Sequence, residues 1–192
     1  MKYLIASDIH GSAYWCGRLL ETFRKEGADR LLLLGDLLYH GPRNDLPRDY
    51  DTKKTAELLN GYKEDILCVR GNCEADVDRM MLDFPIEADN AFIDLGSRMI
   101  FATHGHVFNG EMPPYMHKGD ILLAGHTHVP ACEDHGSFIY MNPGSVSIPK
   151  GESWHGYMTY EDGTFLWKDL ENEGEVKYSY RSVRDICCAR HQ

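Results

Sequence analysis

The stretch Tyr3-Leu4-Ile5-Ala6-Ser7-Asp8-Ile9-His10 sets an apolar run of four directly before an acid and an imidazole. The same arrangement recurs along the chain. Leu31-Leu32-Leu33-Leu34 precedes Gly35-Asp36, and Ile66-Leu67-Cys68-Val69 precedes Arg70-Gly71-Asn72. Ile121-Leu122-Leu123-Ala124 precedes Gly125-His126-Thr127-His128, and Met99-Ile100-Phe101-Ala102 leads through Thr103 to His104-Gly105-His106. Continuous apolar runs bounded by Gly and polar residues suit strands buried on both faces. The polar clusters then gather at the carboxyl ends of those strands, where open α/β sheets place their sites.

Seven donors come together in this way: Asp8, His10, Asp36, Asn72, His104, His126 and His128. Taken singly, Asp8 or Asp36 reads equally as a helix cap or turn residue, and the His126/His128 pair as a solvated turn. Taken jointly, mixed oxygen and imidazole donors suit Mn, Fe, Co, Ni or Zn. Seven donors exceed the needs of one ordinary ion and suit two ions sharing a carboxylate.

A chain of 192 residues is long enough for one domain with a substantial core, and no composition shift marks a boundary within residues 1–192. A net charge of −10 argues against a nucleic-acid partner, which needs a basic face, but leaves an anionic small substrate open. The opening residues are too short for a secretory signal and no run spans a bilayer, so a cytoplasmic protein with no membrane partner is expected. Six cysteines then read as reduced thiols, with Cys16, Cys68 and Cys132 packed as small apolar groups. Cys187 and Cys188 lie in a polar tail and match no zinc motif.

Periodicity places a helix over 13–26, with Ala13, Cys16, Leu19, Leu20 and Phe23 on one stripe and Ser12 as N-cap. A long loop follows at 39–51, a second helix at 53–62 and a third at 74–82 with Val77, Met80 and Met81 inward. Short strands then dominate: 91–95, 98–103, 121–124, 137–141, 156–160 and 164–168, the last two joined by the turn Glu161-Asp162-Gly163. The tail 175–192 is expected to add a peripheral strand at 175–181 and then fray. Early β-α-β units and a strand-rich second half predict two stacked sheets with helices outside.

Asp8-x-His10, Gly35-Asp36, Gly71-Asn72, His104 and Gly125-His126-x-His128 together resemble the signature of the calcineurin-like metallophosphoesterases. The segments His40-Gly41-Pro42-Arg43-Asn44, Arg70-Gly71-Asn72-Cys73 and the run from Asn142 to Gly151 resemble the YfcE-type phosphodiesterases within that superfamily. The likeness covers about residues 1–165. It implies an α/β fold, a four-layer α/β/β/α sandwich of the metallophosphoesterase type. It implies two divalent ions, with Mn²⁺ expected first and Fe, Co, Ni or Zn as other choices. One ion falls to Asp8, His10, Asp36 and His128, the other to Asp36, Asn72, His104 and His126, with Asp36 the bridge. The implied reaction is hydrolysis of a small phosphodiester by in-line attack of a hydroxide shared by the ions.

Many members of the superfamily carry His where this chain has Cys73, a weak donor that tilts the reading away from monoesters needing a general acid. His40 and His106 are candidate catalytic groups, with a turn cap and a supporting role as their plainer readings. Arg43, Arg70 and Lys150 are candidate phosphate contacts, and the turn Asn142 to Ser147 is a candidate support beneath the site. Two other functions stay open: a phosphomonoesterase or nucleotide pyrophosphohydrolase, and a non-catalytic protein-binding scaffold of the same fold. The complete donor set favours an enzyme. Tyr14, Trp15 and Tyr50 are candidates for a homo-oligomer surface, against core packing or plain exposure.

Overall fold

A computed structural model describes residues 1–172 and 174–181; the end of the tail, with Cys187 and Cys188, lies outside the described residues. Strands β1 (Tyr3–Ala6), β2 (Arg30–Leu33) and β3 (Ile66–Cys68) run parallel, with Leu4 beside Leu31 and Leu32 beside Leu67. Successive side chains in a strand point to opposite faces. Leu4, Ala6, Leu31 and Leu33 therefore pack on helices α1 (Ala13–Glu26) and α2 (Thr52–Asn60), while Ile5, Leu32, Leu34 and Val69 face the other way. Helix α1 begins where the Ser12 hydroxyl accepts from the Trp15 N–H at 3.2 Å and ends at Gly27 in left-handed backbone.

The second half supplies β4 (Asn90–Asp94), β5 (Met99–Thr103), β6 (Asp120–Leu123), β7 (Ala131–Asp134) and β8 (Phe138–Asn142). These form a sheet in the order β4-β5-β6-β8-β7, with β5, β6 and β8 parallel. Strands β9 (Gly156–Glu161), β10 (Thr164–Asp169) and β11 (Glu175–Arg181) return to the first sheet as an antiparallel meander, giving β11-β10-β9-β1-β2-β3. The two sheets stack through Ile5, Leu32, Ile100, Ile121, Ile139 and Trp167. Each such side chain contributes roughly 1.5–3 kcal/mol by leaving water. The outer face of the second sheet, with Phe101, Leu122, Phe138 and Tyr140, is covered by Phe108 and Met116. The result is the two-sheet α/β sandwich expected, with both α-helices of the described residues on the first sheet and loop residues over the second.

Four expectations need correction. The run Ile66 to Val69 is not buried throughout: β3 is an edge strand, and Leu67 is exposed on it. Residues 74–82 do not form an α-helix, only a 3₁₀ turn over Asp76–Met80. Val77 and Met80 are 63 % and 84 % exposed, and Met81 is exposed too, because Leu82, Phe84 and Ile86 fill the core just beyond. Cys132 is exposed on β7, a strand whose polar residues gave no periodic signal.

Candidate metal centre

The strand ends converge. The Asp8 N–H donates to the Gly35 carbonyl, the His10 N–H to the Asp36 carbonyl and the Gly125 N–H to the His104 carbonyl, so backbone stitches the loops into two pairs, and the His126 N–H donating to Asp8 Oδ2 ties one pair to the other. Nδ1 of His104 reaches back to the Leu34 carbonyl at 2.7 Å, across from one sheet to the other.

Asp8, His10 and His128 form a buried triad. Asp8 Oδ1 lies 3.5 Å from His10 Nε2 and 3.3 Å from His128 Nε2, and the two ring nitrogens are 3.2 Å apart. Nδ1 of His10 is 2.7 Å from the Tyr39 carbonyl, and Nδ1 of His128 is 2.7 Å from the Ile148 carbonyl. A carbonyl only accepts, so each neutral ring carries its proton on Nδ1 and turns a lone pair inward at Nε2. His104 is set the same way, with Nε2 3.0 Å from Asn72 Oδ1 and 3.2 Å from His126 Nδ1. Asp36 joins the two groups: its Oδ2 is 3.7 Å from His10 Nε2 and 3.5 Å from His104 Nε2, while Oδ1 accepts from the Cys73 N–H.

The donors fit cations. Metal bonds of about 2.0–2.2 Å put neighbouring ligands on one ion about 3.0–3.5 Å apart, the spacing seen here. Asp8 Oδ1 is buried with no hydrogen-bond partner among the described residues, an acceptor that burial makes costly to leave alone. With no ion bound, protons have to separate the inward lone pairs. Burial lowers the His104 imidazolium, yet Asp36 and Asp8 outweigh it and push the ring up to about 9. Burial would raise the Asp8 carboxyl, but His10 and His128 hold it well below the carboxylate range. A proton or a metal ion serves the same purpose in this pocket, which is why a cation belongs in it.

The backbone is shaped for these side chains. Asp8, His10, Asp36, His126 and His128 all adopt left-handed φ values between 50° and 66°. That region is uncommon outside Gly, although Asp, Asn and His enter it more readily than most, and it costs on the order of 1–3 kcal/mol per residue. Gly71 and Gly125 are needed for space: a Cβ on Gly71 would strike Asp36, and one on Gly125 would strike Ser7 and Asp8.

Glu74 holds the site together without being a donor in it. Its buried carboxylate accepts from the N–H groups of Asp36, Leu37 and Gly71, clamping the Asp36 turn to the Asn72 turn. Burial, then the nearby Asp36 charge, raise its pKa. The available signal was its place two residues after Asn72. Beneath Asp8, the hydroxyls of Ser145 and Ser147 donate to its carbonyl at 2.8 and 3.1 Å. Asn142 Nδ2 donates to Gly125 O at 2.7 Å and holds the His126 loop.

The remaining candidates are spread around the rim. Cys73 is half-buried, its sulfur within 4.8 Å of donor atoms of His10 and Asp36. His106 is exposed, with its ring centre 6.3 Å from that of His126. His40 stacks edge-on against Tyr39 and Tyr50, and its Nδ1 is buried without a hydrogen-bond partner among the described residues. Arg43 is exposed on the 39–51 loop. Arg70 is turned aside, donating to the Glu74 carbonyl at 3.2 Å and pairing with Asp76 at 3.8 Å. Lys150 gives its backbone N–H to the His128 carbonyl, and its side chain is exposed. Trp15 is buried and stacks on His155 at 3.5 Å, so it is core rather than an oligomer surface.

A two-sheet α/β sandwich with Asp, Asn and His donors at its strand ends defines a metallophosphoesterase. The chain belongs to the calcineurin-like phosphoesterase superfamily: the family model matches residues 1–163. It is thus a metal-dependent phosphoesterase. It is 49 % identical over 151 residues to phosphodiesterase YfcE of Escherichia coli strain K12, covering 79 % of this chain and 82 % of the relative. The structure of the E. coli phosphoesterase YfcE superposes with a TM-score of 0.92 at 42 % identity, covering 95 % of this chain and all of that one. Vps29 of Chaetomium thermophilum shares the fold alone, with a TM-score of 0.62 at 15 % identity over 95 % of this chain and 100 % of that one. No helix among the described residues is long and apolar enough to cross a membrane.

Proposed function

We propose that the protein is a cytoplasmic phosphodiesterase that works with two divalent ions, Mn²⁺ first among them, on a small diester. The observation that carries this reading is the sharing of Asp36 Oδ2 between two converging donor sets. Bound there, two divalent ions would supply Lewis acidity toward phosphoryl oxygens and bring the pKa of a bound water toward neutrality.

The chain's own groups do the rest. Asp8, His10, Asp36 and His128 would hold one ion, and Asp36, Asn72, His104 and His126 the other. Asp8 and Asp36 offset cation charge, while Asn72 adds an oxygen donor without adding charge. The carbonyls of Tyr39, Ile148 and Leu34 keep the protons of His10, His128 and His104 on Nδ1, so Nε2 stays available. Asn72 is exposed and His126 half-buried, so the phosphate approaches from their side. The mixture of carboxylate, amide oxygen and imidazole supports Mn²⁺, with Fe, Co, Ni and Zn compatible.

Two observations support a diester over a monoester. The relative at 49 % identity carries the name phosphodiesterase. Cys73 stands beside the donors, its sulfur within 4.8 Å of donor atoms of His10 and Asp36, and a thiol donates only weakly. A diester with a good leaving group depends least on a strong general acid.

Elemental analysis of purified protein beside a panel of mono- and diesters tests the proposal. The expected outcome is close to two ions per chain, faster diester than monoester turnover, loss of both activities with chelator, and better recovery with Mn²⁺ than with Ca²⁺, which binds imidazole poorly. Full hydrolysis in chelator with no residual metal would refute it.

A further inference from the structure

The residues that the 74–82 segment fails to send inward form part of a second feature. Val77 and Met81, with Leu38 and the rings of Tyr39 and Tyr50, line a cleft of about 370 Å³. The cleft adjoins the metal centre through two residues. Cys73 forms part of its wall, and the Cys73 sulfur lies within 4.8 Å of donor atoms of His10 and Asp36. Tyr39 lends its ring to the cleft and its carbonyl to His10 Nδ1.

The lining describes the occupant. Tyr39 and Tyr50 each meet the His40 ring edge-on, with centres 4.8 and 5.2 Å apart, so one imidazole braces both aromatic side chains. Lys53 and Asp78, the charged residues of the lining, have opposite signs. A second phosphate would want a net positive wall, and this one has none. Aromatic and aliphatic surface with balanced charge suits a flat, neutral organic group.

We infer that the cleft is a subsite for an aromatic substituent of the phosphodiester whose phosphate rests on the metal centre; this rests on the diesterase reading above. Val77 and Met81 then set specificity: they touch the ring and not the phosphate. A diester carries a second organic group to fill such a cleft, and a small alkyl diester leaves it to water.

The test compares two monoanionic analogues, methyl phenylphosphonate and methyl methylphosphonate, by calorimetry on metal-loaded protein. Partial burial of the ring predicts about tenfold tighter binding of the phenyl compound. Val77→Asn and Met81→Gln are neutral, so they leave the field at the ions unchanged, and both positions are exposed, so folding is not at stake. Each is expected to cut the preference several-fold while leaving methyl methylphosphonate affinity as it was. Equal binding of both compounds by the wild type, or a preference that survives both variants, overturns the subsite. Hydrolysis of p-nitrophenyl methyl phosphate is followed in parallel. A ring preference that follows the variants in a protein that cleaves no diester supports the cleft and refutes the diesterase reading alone.

Discussion

The two halves of the metal centre share a carboxylate and differ in burial and in charge. In one half Asp8, His10 and His128 are 0 %, 1 % and 3 % exposed. In the other, His104 is buried but Asn72 is open to solvent and His126 half so. The buried half has Asp8 besides the shared Asp36, whereas the open half has a neutral amide in the same position. Charge attraction grows as water is excluded, so under the proposed two-ion reading the buried half would retain its ion. The open half would exchange one and admit substrate. Similar donors, differently buried, divide retention from access.

The contrast can be broken most severely at the bridge. Asp36→Asn keeps the shape of the side chain and suits the left-handed backbone, yet removes the charge both halves share. Metal content is expected to fall toward zero, and kcat/KM to drop by more than the roughly 100-fold that losing a supporting group costs, with an unchanged circular dichroism spectrum. Retention of two ions by this variant would contradict the bridge. Next comes a paired test. Exhaustive dialysis of the wild type is expected to leave nearer one ion than two. His126→Ala keeps that ion and His10→Ala loses it; equal losses in the two variants would mean the halves are equivalent.

Glu74→Gln sharpens the comparison because the carboxylate ties both halves together. Metal affinity is expected to fall by roughly 10–100-fold at both sites, read by titration with a metal indicator. An effect confined to one ion would place Glu74 on one side only. The smallest effect is on stability against pH. In metal-free protein the folded pKa of His104, about 9, lies above the ordinary 6.5. The protonated ring thus contributes stability fully below about 6.5, and this is lost as pH rises through about 9. Tm of the metal-free protein is expected to fall over that window, and saturating Mn²⁺ to abolish the fall.

Much of this was legible before any coordinates. An apolar run ending in Gly-Asp or Gly-His states both a buried strand and what stands at its end, so five such runs taken jointly, and none of them alone, pointed to one site. Helix α1 announced itself through Ser12 and the stripe ending at Phe23. Other features were hidden for physical reasons. β7 is an edge strand, and Glu133 and Asp134 face water, so it carries no apolar period. Val77, Met80 and Met81 keep helical spacing, but the chain around Glu74 is pinned by three backbone N–H groups and continues as a 3₁₀ turn instead of a helix. Whether a Glu at that position clamps a turn or decorates a surface depends on donors 3, 37 and 38 residues away in the chain.

The left-handed backbone at Asp8, His10, Asp36, His126 and His128 also channels how this lineage can change. At such φ values Asn and Gly rest as easily as Asp or His, while branched and bulky residues do not. The replacements a descendant accepts most readily are therefore those that weaken or erase a ligand and keep the chain's path. Catalysis can decay by neutral drift while the body of the protein survives, and the hollow left behind is free to be recruited for a new purpose.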